Sequence, residues 1–441
     1  MKIKIFSALL LTIALFGAAN AQTFDKAKTD QFFDRLAEKN KAMGSMTVAK
    51  DGVVVYTRAI GHSHVKGTEK KLSTPATKYR IGSISKTFTS TMIFQLIEEG
   101  KLKLTDTLDK FFPQIPNAPK ITIAQMLSHR SGIHSFTNDP EFGTWRTKPK
   151  TRDELLAVIA ASKPDFEPGE KYNYSNAAYV VLGFIVEKAG GKPYGEALKK
   201  RITAKVGLKD TYLGTGFTET GKNEAFSYSF KDSWNKESEE THSSIPGGAG
   251  AIVSTSADLT KFIQALFDFK LVSEESLDQM MQNKYGMTTF PLEGKTFYGH
   301  GGSIDGFRSI LVYLPEEKLA VSYISNGTVY PPNGIVMGFF DIYGGRPFTI
   351  PTFESVAVSA EVLDKYVGVY SSPGFPMKIT VTRNGAELNA QATGQSAFPL
   401  EATAQDKFKF EPSGIVIEFD ASKSQMILKQ RGQETVFAKE K

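Results

Sequence analysis

The sequence predicts an α/β (α+β) chain in two parts: an antiparallel sheet combined with a helical region, then a small all-β, barrel-like domain. Three observations predict this. Helical apolar spacing recurs through the first 350 residues, as in Phe88, Met92, Ile93, Leu96 and Ile97. Strand patterns flank the helical stretches: a hairpin turning on Asp51-Gly52 near the start, and apolar runs at 309–314 and 319–324. After Pro351 the texture changes to about eight short strands at regular spacing, the pattern of a small barrel or sandwich.

The elements follow in order. Residues 24–43 read as an amphipathic helix, with Phe32, Phe33 and Leu36 on one stripe. The hairpin covers 45–60, with Met46 and Val48 on one side of its first strand. A helix over 87–99 is stopped by Gly100. Residues 104–112 read as a short helix capped by Thr105, and Thr122 opens another that runs to Ser131-Gly132. Segment 133–150 is loop-like and aromatic (Phe136, Phe142, Trp145), either a cleft wall or a cover on the core. Helices at 152–161, 177–189 and 194–204 follow, the second stopped by Gly190-Gly191. A polar excursion at 227–244 leads to the tight turn Pro246-Gly247-Gly248-Ala249-Gly250, a strand at 252–255 and a helix over 256–267. A short helix at 361–366 precedes the strands between 367 and 438.

The N-terminus reads as a leader outside the fold. Lys2 and Lys4 precede an uncharged apolar run from Phe6 to Phe16, and Ala19-Asn20-Ala21 is a small-x-small cleavage site. The run is short of a bilayer span, so no transmembrane anchor is expected. The expected organisation is a signal peptide at 1–21, a catalytic domain at 22–350 and a β-barrel-like accessory domain at 351–441. The expected location is periplasmic or secreted. There is no cysteine, which excludes disulfides, thiol nucleophiles and thiolate metal sites. The six histidines show no metal spacing, so no metal and no cofactor are expected. Net charge is +6 with scattered basic residues, giving no nucleic-acid footprint. The partner expected is a small-molecule or peptide substrate; the sequence is silent on oligomeric state.

Three motifs carry chemistry. Ser83-x-x-Lys86 opens the 87–99 helix, which places Lys86 one turn from Ser83 on the same face. A serine is a poor nucleophile until a base takes its proton, and a lysine can be that base only when burial keeps its amine neutral. Two further Ser-x-x-Lys matches, Ser63/Lys66 and Ser233/Lys236, sit among loop signals and open no apolar helix. Tyr174-x-Asn176 stands at a loop–helix junction; a phenol can relay a proton and an amide can bond both a carbonyl and an amine. His300-Gly301-Gly302-Ser303 lies among strands, where glycines admit a ligand close to the backbone and a strand edge can offer N–H groups to an oxyanion. Each motif also has a bland reading: a helix cap, a core tyrosine, a bulged strand.

In this order the three motifs resemble the serine β-lactamase and penicillin-binding-protein superfamily, whose set is S-x-x-K, a Ser/Tyr-x-Asn element and K-T-G. The Tyr version is similar to class C β-lactamases, D-Ala-D-Ala carboxypeptidases, D-aminopeptidases and related esterases. Flanking runs agree, notably Ile81-Gly82-Ser83, Ser85-Lys86-Thr87-Phe88-Thr89 and Leu127-Ser128-His129-Arg130-Ser131-Gly132-Ile133. The resemblance covers about residues 24–340, and the C-terminal part is similar to the lipocalin-like barrels appended to such hydrolases. It implies that Ser83 forms an acyl-enzyme and that Lys86 and Tyr174 share the base role. It also implies that Asn176 holds Lys86 and the substrate amide, that the N–H groups of Ser83 and Ser303 form the oxyanion hole, and that His300 stands beside Tyr174.

One departure shifts the expected substrate. Lys-Thr-Gly is replaced by His300-Gly301-Gly302, which removes a permanent charge and a hydroxyl that can bind a substrate carboxylate. Arg308 is the candidate for a substitute charge. The reading is therefore an exported serine hydrolase acting on a small ester or a D-amino-acid amide or peptide. The alternatives are a class C-like β-lactamase or D-Ala-D-Ala carboxypeptidase and, from another class, a non-catalytic binder of peptidoglycan fragments.

Overall fold

The computed structural model describes residues 24–237, 239–354, 356–395, 397–410, 414–430 and 433–440. The expected leader, 1–21, lies outside the described residues.

A six-stranded antiparallel sheet forms the frame, in the order Thr288–Leu292, Lys295–Ile304, Phe307–Leu314, Leu319–Thr328, Ala42–Lys50, Val53–Ile60. The early hairpin and the late strands thus join through Ala42–Lys50 and Leu319–Thr328, with Val48 opposite Val321. Period-2 alternation sorts the first strand between two layers. Met46 and Val48 pack with Phe32, Phe33 and Leu36 of helix Lys26–Glu38 and with Phe339 of helix Pro332–Tyr343. Ser45 and Thr47 face the other way, 3.0 and 2.8 Å from the hydroxyl of Ser256, the first residue of helix Ser256–Phe267.

Behind that second face lies the helical region. Helices Ser85–Glu98 and Asn176–Gly190 are buried along most of their length and share one core with Ser256–Phe267, where Phe88 stacks on Phe262 at 3.7 Å. Several expected helices are shorter than the apolar spacing suggests. The stretch at 104–112 holds only a 3-10 turn, Leu108–Lys110, flanked by Thr107 rather than Thr105. Asp106 bends the chain instead by accepting the N–H of Lys103, and Leu108 N–H is committed to Ile121 O. Thr122 does cap its helix through a full capping box with Gln125, but the helix stops at Leu127. His129, at φ 57, turns the chain there.

The last eight strands, from Gly368–Ser372 to Gln433–Lys439, close into a barrel, with Tyr370 paired to Lys439. Its interior is a packed core that includes Val381, Leu388, Phe408, Ile417, Met426 and Phe437. Helix Ala360–Tyr366 adds Leu363 and Tyr366, the latter stacked on Phe419 at 4.4 Å. The barrel meets the sheet layer through the Lys41–Glu401 ion pair at 3.3 Å, and the segment that leads into it is tied to it by the Val356 N–H to Ala402 O bond at 2.9 Å. No helix among the described residues is long and apolar enough to cross a membrane.

Candidate active site

Ser83 sits in a 3-10 turn, Gly82–Ile84, that runs into helix Ser85–Glu98. Two glycines bring this turn against strand Lys295–Ile304. Gly82 has φ 51, and a Cβ there would lie 2.7 Å from Ser303 N. A Cβ on Gly302 would lie 2.1 Å from Ile81 O. Ser309 Oγ donates to the same carbonyl at 2.8 Å, locking turn to strand. The strand's pairing then sets which groups face Ser83. Ile304 and Phe307 close a two-residue hairpin and exchange both ladder bonds, so the next pair, Ser303 and Arg308, exchanges none. Ser303 N–H therefore points away from the ladder, toward the turn.

Lys86 is fully buried. Its Nζ lies 3.0 Å from Ser83 Oγ, 2.8 Å from Asn176 Oδ1 and 2.9 Å from Ala249 O. Among the described residues no carboxylate pairs with it, and burial holds it well below the usual lysine range. The partners dictate what a neutral amine does. Asn176 Oδ1 and Ala249 O only accept, so they take its two protons, and the lone pair is left for the Ser83 hydroxyl. Asn176 is fixed in this role by its Nδ2, which donates to Thr137 Oγ1 at 3.0 Å. The Gly-rich turn supplies the carbonyl. It forms one helical turn, Gly247–Gly250, pressed on helix Asn176–Gly190 where a Cβ on Gly248 would lie 2.9 Å from Tyr179 O.

The Tyr174 side chain lies beside Ser83, and its ring centre is 4.8 Å from Lys86 Nζ. Burial pushes the phenol up, so it holds its proton. His129 props the ring at 4.3 Å, and its Nδ1 accepts the N–H of Ser175, the cap of the Asn176 helix. His300 stands 6.4 Å away, its Nδ1 turned to Gly301 O. Burial, reinforced by any charge on Lys86, pushes His129 down to about 3 and His300 down to about 4. Both rings are neutral near pH 7.

Ser83, Asn176 and Ser303 line a cavity of about 470 Å³ together with Phe136, Phe142, Arg146 and Ile245. Tyr174 and His300 line a second hollow with His129 and Arg130. Gly301 and Gly302 lie between, on the strand behind His300. All eight expected residues are thus brought to one place. Arg308 is not: it bonds the carbonyls of Asp305 and Phe307. The cavity's cation is Arg146, from the aromatic 133–150 segment, together with Thr137 from the same segment. That aromatic content was the sequence signal for a cleft wall; nothing in it singled out the arginine.

A family model described as Beta-lactamase matches residues 29–341. The chain belongs to this family. Penicillin-binding protein 4* of Bacillus subtilis (strain 168) is 25% identical over 440 residues, covering 91% of this chain and 96% of that protein. Among solved structures, a D-stereospecific amidohydrolase from Streptomyces sp. is 29% identical with a TM-score of 0.62, over 73% of this chain and all of that one. An octameric penicillin-binding protein homologue from Pyrococcus abyssi is 26% identical with a TM-score of 0.64, over 94% of this chain and all of that one. The β-lactamase-family protein described here is a serine hydrolase with the family's mixed fold and a C-terminal barrel.

Proposed function

We propose that this protein hydrolyses a small amide, peptide or ester of a D-configured amino acid through an acyl-enzyme on Ser83. The observation that carries the reading is Lys86: a buried amine with no counter-ion among the described residues, whose lone pair is left facing the serine hydroxyl. Lys86 takes the Ser83 proton as Oγ bonds to the substrate carbonyl carbon. The oxyanion lies against the N–H groups of Ser83 and Ser303. When the tetrahedral species collapses, the bond to the leaving group breaks. Tyr174 protonates that group and regains a proton from the Lys86 ammonium. Water then repeats the sequence and frees the acid. Asn176 orients Lys86 and accepts the substrate amide, and neutral His300 stands beside Tyr174 without adding charge.

Two observations support the substrate class. The cavity joins aromatic walls (Phe136, Phe142) to the carboxylates Glu237 and Glu239; Arg146 pairs with Glu239 at 3.4 Å, so Glu237 is the carboxylate that suits the free ammonium of an apolar residue. The Streptomyces neighbour is a D-stereospecific amidohydrolase. Residues 22–350 would carry this activity and 351–441 the accessory barrel. The leader-like first 21 residues support export to the periplasm or medium; a mature N-terminus at Gln22 would test this. The main test incubates the protein with D- and L-phenylalanine amide and with benzylpenicillin, following product and intact mass. Turnover of the D-amide, lost in Ser83→Ala, is expected. Equal turnover of both amides, or penicillin consumed faster than either, would sink the substrate assignment.

A further inference from the structure

Arg80 and Asp305 form an ion pair of 3.2 Å between side chains only 5% and 2% exposed. Their positions in the chain matter more than their energy. Arg80 ends strand Tyr79–Arg80, three residues before Ser83. Asp305 is at the tip of the hairpin, two residues after Ser303, at φ 48. One buried contact thus spans the two segments that carry the Ser83 and Ser303 N–H groups.

The remaining bonds hold it rigidly. Arg80 donates to Thr241 O at 2.6 Å, Gly216 O at 2.6 Å and Ser243 Oγ at 3.1 Å. Asp305 accepts Thr241 Oγ1 at 2.7 Å and its backbone N–H at 3.1 Å, and Arg146 Nη1 at 2.8 Å. A buried pair of this kind is weak evidence for stability, because desolvation offsets most of its attraction. Fully bonded, it does fix geometry. Arg146 also lines the cavity beside Ser83, so the same carboxylate links the cavity wall to the two donors.

We infer that Arg80–Asp305 is a positioning clamp that sets the spacing of the two oxyanion donors; this rests on the assignment of those donors above. A donor works only when held close to where the oxyanion forms, so loosening the clamp slows acylation rather than binding.

The test follows acylation of the full chain by 4-nitrophenyl acetate in wild type, Asp305→Asn, Arg80→Lys and Thr241→Val, with melting curves for each. Asp305→Asn is expected to lower the acylation rate roughly 10²-fold, the scale of losing one donor, with a much smaller change in KM. Arg80→Lys, which keeps the charge, and Thr241→Val, which removes one of the hydrogen bonds to Asp305, fall between. The infrared carbonyl stretch of the acetyl-enzyme should move to higher frequency in Asp305→Asn, because a less well-held oxygen is less polarised. A folded Asp305→Asn with an unshifted stretch, or one that changes KM alone, overturns the clamp. If Asp305→Asn does not fold, Arg80→Lys gives the same reading. A wild-type Ser83 that acquires no acetyl group overturns the active-site assignment itself.

Discussion

The centre of the helical region and the interior of the barrel are equally dry but differently filled. Around Ser83 the buried side chains include Ser85, Lys86, Thr87, Thr89, Ser90 and Thr91. Inside the barrel, the described buried side chains are apolar apart from the hydroxyls of Tyr366 and Tyr370. Each polar group in the first set has a partner. Ser85 Oγ accepts Ile252 N–H at 3.2 Å, Thr87 donates to Gly286 O at 2.6 Å, and Thr89 donates to Gly248 O at 2.6 Å. Polar groups in a dry core are costly unless matched, and once matched they fix one arrangement. The helical region accepts that constraint and thereby holds an amine in place; the barrel needs only volume.

The sharpest way to break this contrast is to make the first core resemble the second. Lys86→Met keeps bulk and removes the base, and turnover should fall by about 10³-fold. Stability also reports on it. Lys86 is held well below 10.5 in the fold, so between its lowered value and 10.5 the unfolded chain binds more protons. Stability should therefore rise with pH across that window in wild type and stay flatter in Lys86→Met. Urea melts on the alkaline side of neutrality check this, and equal slopes would mean the amine is charged in the fold.

The converse substitution is Phe437→Ala in the barrel, at a residue with no exposure. It should cost about 3–5 kcal/mol of stability, as a large core truncation does. Acylation of Ser83 should be unaffected below the melting range, since distant sites act independently. A folded Phe437→Ala that acylates slowly would show that the barrel takes part in the chemistry.

What the sequence made legible follows the same divide. The barrel strands alternate, so all eight were visible, as was the Arg152–Ala161 helix. Ser83, Lys86 and Asn176 were visible because helix geometry and a junction bring them together. That Lys86 would be dry was not readable, because its burial comes from the turn holding Ala249, far along the chain. Nor was the pairing of Arg80 with Asp305, 225 positions apart. The 104–112 stretch failed for a local reason: the Asp106 carboxylate competes for backbone N–H groups and bends the chain before a helix can start.

A milder test concerns His129, whose neutral ring is part of the polar core. Burial holds it near about 3, against 6.5 in the unfolded chain, so the unfolded state takes the proton first as pH falls. Wild type should lose about 2 kcal/mol of stability from pH 6.5 to about 5, from this group alone. His129→Asn tolerates the φ of 57 and can accept the Ser175 N–H, and it should lose less. Equal acid sensitivity in the two proteins would place the titrating group elsewhere.

The smallest effect expected is at Gly301, and it separates two glycines that look alike in the sequence. Gly302 has no room: a Cβ would meet Ile81 O at 2.1 Å and Ser309 Oγ at 2.3 Å. Gly302→Ala should therefore pry the nucleophile turn from the strand and impair both folding and acylation. At Gly301 a Cβ would find only Ser309 O, at an ordinary 3.7 Å, and its φ is open to any residue. The lack of a side chain there is not a packing requirement. Gly301→Thr should fold like wild type and add a hydroxyl on the strand beside His300. One hydrogen bond of about 1 kcal/mol would shift preference toward carboxylate-bearing substrates several-fold. Paired amide substrates with and without a carboxylate on the leaving group measure it. A stable Gly301→Thr with unaltered preference would mean that the missing hydroxyl does not set this protein's substrate choice.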